Sequence, residues 1–265
     1  MTIFTHMLLV GALSVGALFF LMWLIHLALK NAAIVDIGWG VGFILLCAEY
    51  ILMGQGFNVR NTICLGMIIL WAVRIISYLL RRFRVEKQED KRYRKMREGF
   101  GRTAWLKFLM VFEFQAALEI VIGIPLMIIS VNPNPGLSYV EMIGLIVFAM
   151  ALIGETLSDE QLIAFKTNVM NKGKTCNVGL WRYSRHPNYF FEWLVWVGFF
   201  IYALGSPWGW TAIISPLLMY YLLMHVSGVP MAEEQSLLSR KDEYRKYQAG
   251  TSVFFPMPVK RSESR

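Results

Sequence analysis

Charge is what this 265-residue chain has least of: 17% of its residues are Asp, Glu, Lys or Arg, against about 25% in a soluble globular domain. With 56% apolar residues, it carries more apolar surface than a soluble fold of this size can cover. The same balance excludes intrinsic disorder, which needs low hydropathy. Cysteine is scarce too. Cys47, Cys64 and Cys176 form no C-x-x-C pair, which argues against a disulfide framework or a structural zinc site. Four dispersed histidines suggest no metal centre, and neither a G-x-S-x-G elbow nor a Cys–His arrangement points to covalent catalysis. Gly38-Trp39-Gly40-Val41-Gly42 is not a dinucleotide fingerprint, because no strand precedes it. Glycines four apart more often allow close helix packing.

What is present is a series of long apolar runs, at about 7–29, 32–53, 62–80, 108–130, 137–157, 190–205 and 208–229. Each approaches the roughly 20 helical residues that cross a bilayer. A lipid-exposed backbone must satisfy its own hydrogen bonds, so all are expected to be helices. The fold class expected is all-α: a polytopic seven-transmembrane-helix bundle forming a single integral membrane domain over 1–265. The run from Met7 to Leu29 lacks the basic flank and cleavage site of a signal peptide and reads as the first span.

The net charge of +8 is distributed unevenly. Eleven of the 26 basic residues lie in Arg81–Lys107, five between Lys166 and Arg185, and seven between Arg240 and Arg265. With Lys30, these fall on one side of a seven-span topology whose N-terminus is outside and whose C-terminus is cytoplasmic. That is the positive-inside pattern, and it displaces nucleic-acid binding as the meaning of the charge. The cytoplasmic parts are then loops 81–107 and 158–189 and the tail 230–265. The mixed-sign stretch 81–102 reads as a solvated helix resting on anionic headgroups.

Two concentrations of polar residues remain. Asp36, Glu49, Glu113, Glu119 and Glu141 lie in or at the edge of apolar runs, where ionisable groups are costly and usually functional. Asp36 lies about one turn into the second span, in NAAIVDIGWG. On the third span Trp71, Arg74 and Tyr78 follow i, i+3, i+7 spacing and share a helix face. These four are the catalytic candidates, and a structural Arg–carboxylate pair is the plainer alternative. The second concentration is GETLSDEQLIAFKTNVMNKGKTCNVGLWRYSRHPNYFFEW at 154–193. It holds Asp159, Lys166, Asn168, Lys172, Lys174, Arg182, Tyr183, Arg185, His186, Asn188 and Tyr189 just before a span that opens on Pro187. Arginine forks suit phosphate and a carboxylate accepts from ribose or adenine, which describes a pocket for a phosphorylated, nucleotide-like cofactor. The plainer reading is a headgroup-binding basic loop. SGVPMAEE, at 227–234, interrupts the last run just before Glu233.

At GLWRYSRHPNYFFEW (179–193), with VDIGWG, SGVPMAEE and the closing DEYRKYQAGTSVFFP, the chain resembles the steroid 5-alpha-reductase family, in particular its bacterial members. The R-H-P-N-Y element also occurs in sterol C14-reductases and in isoprenylcysteine carboxyl methyltransferases. The resemblance implies a seven-helix bundle that binds NADPH from the cytoplasm and takes a steroid-like enone from the bilayer of a bacterial inner membrane, as a monomer. It implies that Asp159, Lys166, Asn168, Lys174, Arg182, Tyr183, Arg185, His186, Asn188, Tyr189, Glu192 and Glu233 hold or surround NADPH. Animal members bind the steroid carbonyl with a Gln-Glu pair and a Tyr. Here the approximate counterparts are Val35-Asp36 and Trp71, a shortened acid and an indole. Asp36 is then the expected carbonyl proton donor, kept protonated in a dry pocket and oriented by Arg74 or Tyr78. Two other readings stand beside it: a membrane methyltransferase using S-adenosylmethionine, and a transporter or lipid-binding protein using the buried carboxylates as a relay.

Overall fold

The computed structural model describes residues 2–86 and 89–259, without the side chains of 84–86. Among them the regular structure is helical: α1 (Ile3–Leu29), α2 (Val35–Met53), α3 (Val59–Glu86), α4 (Lys91–Phe100), α5 (Ala104–Ile122), α6 (Ile124–Ser130), α7 (Tyr139–Thr167), α8 (Pro187–Ala203), α9 (Ile214–Tyr221) and α10 (Val229–Gly250). Five helical stretches are long and apolar enough to cross a membrane, and six if α4–α5 and α6 count as one span bent by 42°. The bend falls at Gly123, with Pro125 just inside α6, where the missing proline N–H breaks the helical ladder. The expected span at 190–205, the sixth in chain order, corresponds to α8, which has 17 residues, about 25 Å at about 1.5 Å per residue, against a hydrocarbon core of about 30 Å.

Helix ends follow local chemistry. The Thr2 hydroxyl accepts from the Thr5 N–H at the start of α1, and Lys30 closes it in the left-handed region. Asn31 then caps a short 3-10 turn, Ala32–Ile34, that feeds α2. Near the other end of the chain, a wide π-type turn at Leu222–Val226 follows α9, and Gly228 precedes α10. The interruption anticipated at Gly-Val-Pro is therefore present.

The chain forms two compact units. Unit 1 comprises Met1–Met142 and Phe200–Ser215, and unit 2 comprises Ile143–Phe199 and Pro216–Arg265. In unit 1, α2 packs on α3 and α1 packs on both α2 and α5. Its core holds Phe19, Phe43, Leu46, Tyr50, Trp71, Phe108 and Phe112. The glycines of GWGVG do make close packing possible. A Cβ on Gly40 would lie 2.8 Å from Ile76 Cδ1, and one on Gly42 would lie 2.4 Å from a Glu119 carboxyl oxygen. Arg60 closes one end of this unit, donating to the Glu141 carboxylate and to the carbonyls of Asn134 and Gly136, while the Tyr202 hydroxyl donates to the Arg60 carbonyl.

In unit 2, Phe148, Trp196 and Phe199 form one buried cluster, and Phe190, Trp193, Tyr220, Phe254 and Phe255 form an aromatic cluster. The R-Y-S-R-H segment is clamped by the chain's last described residues. The Arg185 N–H donates to the Ser252 carbonyl, the Met257 N–H to Tyr183 and the Ser184 hydroxyl to Phe254. Tyr247 donates to the Trp181 carbonyl.

Candidate functional site

Two polar clusters hold most of the candidates, one in each unit. In unit 1, Asp36 lies in the first turn of α2 and is 21% exposed. Its described partners come from α4, whose stretch the sequence assigned to headgroups, not from α3. The Tyr93 hydroxyl donates to Asp36 Oδ1 at 2.6 Å, and Arg92 Nη2 lies 3.0 Å from Oδ2. Arg92 is itself held by Asp90, whose Oδ1 accepts from the Arg92 backbone N–H at 2.8 Å and from Nε at 3.1 Å. Arg82 pairs with the other Asp90 oxygen at 2.6 Å. Burial works to raise the Asp90 carboxyl, and the charge and hydrogen bonds of Arg92, then Arg82, outweigh it and hold it at about 2. One residue earlier, Glu89 accepts from the Ala32 N–H and from both sides of the Arg97 fork. This fastens α4 to the turn that starts α2. Burial of Glu89 is likewise outweighed by the Arg97 and Ala32 hydrogen bonds, and its carboxyl sits below the usual range.

The other catalytic candidates lie on α3. Trp71 is buried edge-on against Phe43 at 5.5 Å. The Arg74 guanidinium lies 5.7 Å from the centre of the Tyr78 ring, a cation–π pair. Neither Arg74 nor Tyr78 is among the described hydrogen-bond partners of Asp36, whose orientation comes from Arg92 and Tyr93. Asp36 is partly exposed and paired with Arg92.

The remaining intramembrane acids have separate surroundings. Glu49 accepts from the Ser14 hydroxyl at 2.8 Å, and Glu141 is bound by Arg60. Glu113 lies half-buried on α5, its Oε2 3.6 Å from where a Cβ on Gly16 would sit. Glu119 is fully buried against Gly42, and neither carboxyl oxygen has a described hydrogen-bond partner.

In unit 2, α7 and the N-terminal end of α8 carry the second cluster. Asp159 on α7 is buried and accepts from Asn188 Nδ2 at 3.4 Å. Asn188 Oδ1 is buried without a described partner. One turn further along α8, Glu192 accepts from the Trp196 indole at 3.0 Å. His186 and Tyr189 stack with ring centres 5.4 Å apart and 7° between planes. Burial pushes the His186 imidazole below 6.5, and the hydrogen bond and charge of Glu233 offset only part of that. Lys166, Lys174, Arg182 and Tyr183 are exposed. Asn168 is exposed too, but its side chain caps the turn that follows by accepting from the Met170 N–H.

Arg185 and Glu233 have a structural assignment here. Arg185 Nε lies 2.6 Å from Glu233 Oε1, and its Nη1 donates to the Gln248 and Thr251 carbonyls. Glu233 also accepts from His186, Tyr244 and Gln248. This hub ties α10 to the turn before α8 and leaves the Arg185 fork committed within the protein. Besides the α4 residues, sequence reasoning missed Glu155, buried one turn before Asp159 on α7. Its i−4 spacing from Asp159 was the available signal.

The chain matches a family described as a protein of unknown function (DUF1295) over residues 22–251. It is also similar to the uncharacterized protein C594.04c of Schizosaccharomyces pombe, at 24% identity over 281 residues, covering 95% of this chain and 80% of the yeast protein. No solved structure matches it.

Proposed function

The chain belongs to the DUF1295 family, whose description assigns no reaction, and we propose that it is a membrane NADPH-dependent reductase of the steroid 5-alpha-reductase type. It reduces the carbon–carbon double bond of a hydrophobic, steroid-like enone. The carrying observation is the divided chemistry of unit 2 between 159 and 192. Exposed cations at Lys166, Lys174 and Arg182 suit phosphates. The buried acceptors Asp159 and Asn188 Oδ1 suit ribose hydroxyls or an amide N–H. An orphaned buried acceptor beside a carboxylate fits such a cofactor, and the stacked His186–Tyr189 rings offer a flat face for one of its rings.

When bound, NADPH supplies a hydride to the β-carbon of the enone. The chain's own part is to hold the cofactor through unit 2 and to stabilise the negative charge that develops on the carbonyl oxygen, as an oxyanion hole does. On the resemblance, Asp36 is the residue proposed for that second task. The wider reading includes a bacterial inner-membrane location, a cytoplasmic C-terminus and a monomer.

A second reading, a methyltransferase using S-adenosylmethionine, draws support from the buried acids Glu155 and Asp159, because a sulfonium is cationic. The exposed cations favour the phosphorylated cofactor instead. NADPH titration separates the two. Arg182→Ala and Asn188→Ala each weaken NADPH binding about 10-fold or more, the scale of a lost hydrogen bond to a charged group. Unchanged dissociation constants in both variants overturn the pocket.

A further inference from the structure

Three connecting segments of unit 1, 54–58, 131–138 and 204–213, meet at the end of α2 opposite Asp36. Hydrogen bonds knit them together. The Gln55 N–H donates to the Ser130 carbonyl at 2.9 Å, and Asn61 Nδ2 donates to the Gly56 and Ser130 carbonyls. The buried Asn132 donates from Nδ2 to the Gly205 carbonyl and the Ser206 hydroxyl, both at 3.0 Å. None of the three segments contains Asp, Glu, Lys, Arg or His. The charges that follow the first two, Arg60 and Glu141, are sealed against each other. What this end exposes instead is aromatic: Phe57, Tyr139, Trp208 and Trp210 are 63%, 85%, 68% and 64% exposed.

The surface lies where spans begin and end. Met53 closes one stretch long and apolar enough to cross a membrane, and Val59, Tyr139 and Gly209 open others. Each of the four exposed rings stands beside one of these boundaries. The turn that carries two of them is tightly fixed. Trp208 has a φ of 64°, in the left-handed region that a bulky residue rarely adopts. A Cβ on Gly209 would overlap the Ala203 carbonyl, and the Trp208 carbonyl accepts from both the N–H and the hydroxyl of Thr211. The indole N–H groups of Trp23, Trp181 and Trp193 donate within the protein. Among the described hydrogen bonds, those of Trp208 and Trp210 have no acceptor.

We propose that this surface is a lipid-binding cap, seated in the zone of one leaflet where acyl esters and phosphates meet hydrocarbon. An indole or phenol there buries its ring and turns its N–H or O–H to ester and phosphate oxygens, the reason Trp and Tyr gather at membrane interfaces. The lack of exposed charge makes the contact indifferent to headgroup charge, and it leaves an acidic or basic soluble partner nothing to pair with. The proposal stands on the span boundaries and is independent of the reductase reading.

The test is fluorescence quenching of the full-length protein in phosphatidylcholine vesicles, with bromine carried near the ester end or near the methyl end of the acyl chains. The emission lost between wild type and Trp208→Phe/Trp210→Phe isolates these two indoles from the rest of the nine tryptophans. That component is expected to lose most of its intensity to ester-end bromine and little to methyl-end bromine, equally with and without phosphatidylglycerol in the vesicles. Trp208→Gly removes one indole where the backbone favours glycine, so it keeps the melting temperature in detergent and loses part of the quenched component. A component quenched by aqueous iodide and by neither bromolipid puts the cap in water. One shielded from all three quenchers puts it against protein, a second copy included. Either result, or quenching strongest at the methyl end, overturns the proposal.

Discussion

Asp36 shows what one residue can reveal and conceal. Its place in an apolar run marks it as costly and therefore informative, and that much is visible in NAAIVDIGWG. Its partners are not visible, because Arg92 and Tyr93 lie 56 and 57 positions away, in a mixed-sign stretch whose composition is that of any solvated helix. No periodicity links the two segments; only the chain reversal through α3 and the carboxylates at 89 and 90 does so. Asp36→Leu removes the acceptor of the Tyr93 hydroxyl and one of the two carboxylates described as pairing with Arg92. It is expected to abolish turnover while sparing NADPH binding, measured by cofactor titration. Persisting turnover contradicts the assignment. In unit 2 the candidates were legible as a set, because they crowd into one short stretch. The separation of Arg185 from Arg182 was not: one fork is spent on Glu233 and backbone carbonyls, and the other is exposed.

At the scale of elements, apolar run length located α1, α2, α3, α5, α7 and α8, since the bilayer dictates about 20 residues per crossing, but not the polar 22-residue α10. It missed the breaks. Gly123 and Pro125 divide 108–130 into α5 and α6, and the run 208–229 contains a 3-10 segment, a short helix and a π-type turn. Helix contacts carry their own prediction. Gly42 leaves room for the Glu119 carboxyl, which a Cβ would approach to 2.4 Å. Gly42→Val is expected to destabilise unit 1 by about 1–3 kcal/mol through overpacking, read as a lowered melting temperature. Glu119→Ala in the same chain restores most of the loss if the clash is the cause. A double variant no better than the single one contradicts that contact. The Arg60–Glu141 pair is sealed at 3% and 0% exposure. Arg60→Ala leaves a buried carboxylate uncompensated and is expected to cost about 3–5 kcal/mol. A melting temperature equal to the wild type's contradicts it.

For the whole molecule, the two ionisable clusters make stability depend on pH with a definite sign. His186 has a folded-state value below 6.5, so the unfolded chain binds its proton first. Its contribution is complete above that value and is lost as pH falls through the folded one. Asp90, held at about 2 against an ordinary 3.8, contributes fully above about 4 and loses that contribution as pH falls towards 2. Melting temperature against pH in detergent is therefore expected to decline on acidification in two stages. His186→Gln diminishes the upper stage and Asp90→Asn the lower, to which Glu89, also held below the usual carboxylate range, contributes. A profile flat from pH 7 to 3 contradicts both assignments.

The measurement that bears most directly on the function is incubation of purified, detergent-solubilised protein with NADPH and progesterone, recording cofactor oxidation and product mass together. The account predicts NADPH consumption matched by a product heavier than progesterone by two hydrogens. No consumption, with thermal stabilisation by S-adenosylmethionine and none by NADPH, contradicts it and transfers the site to methyl transfer.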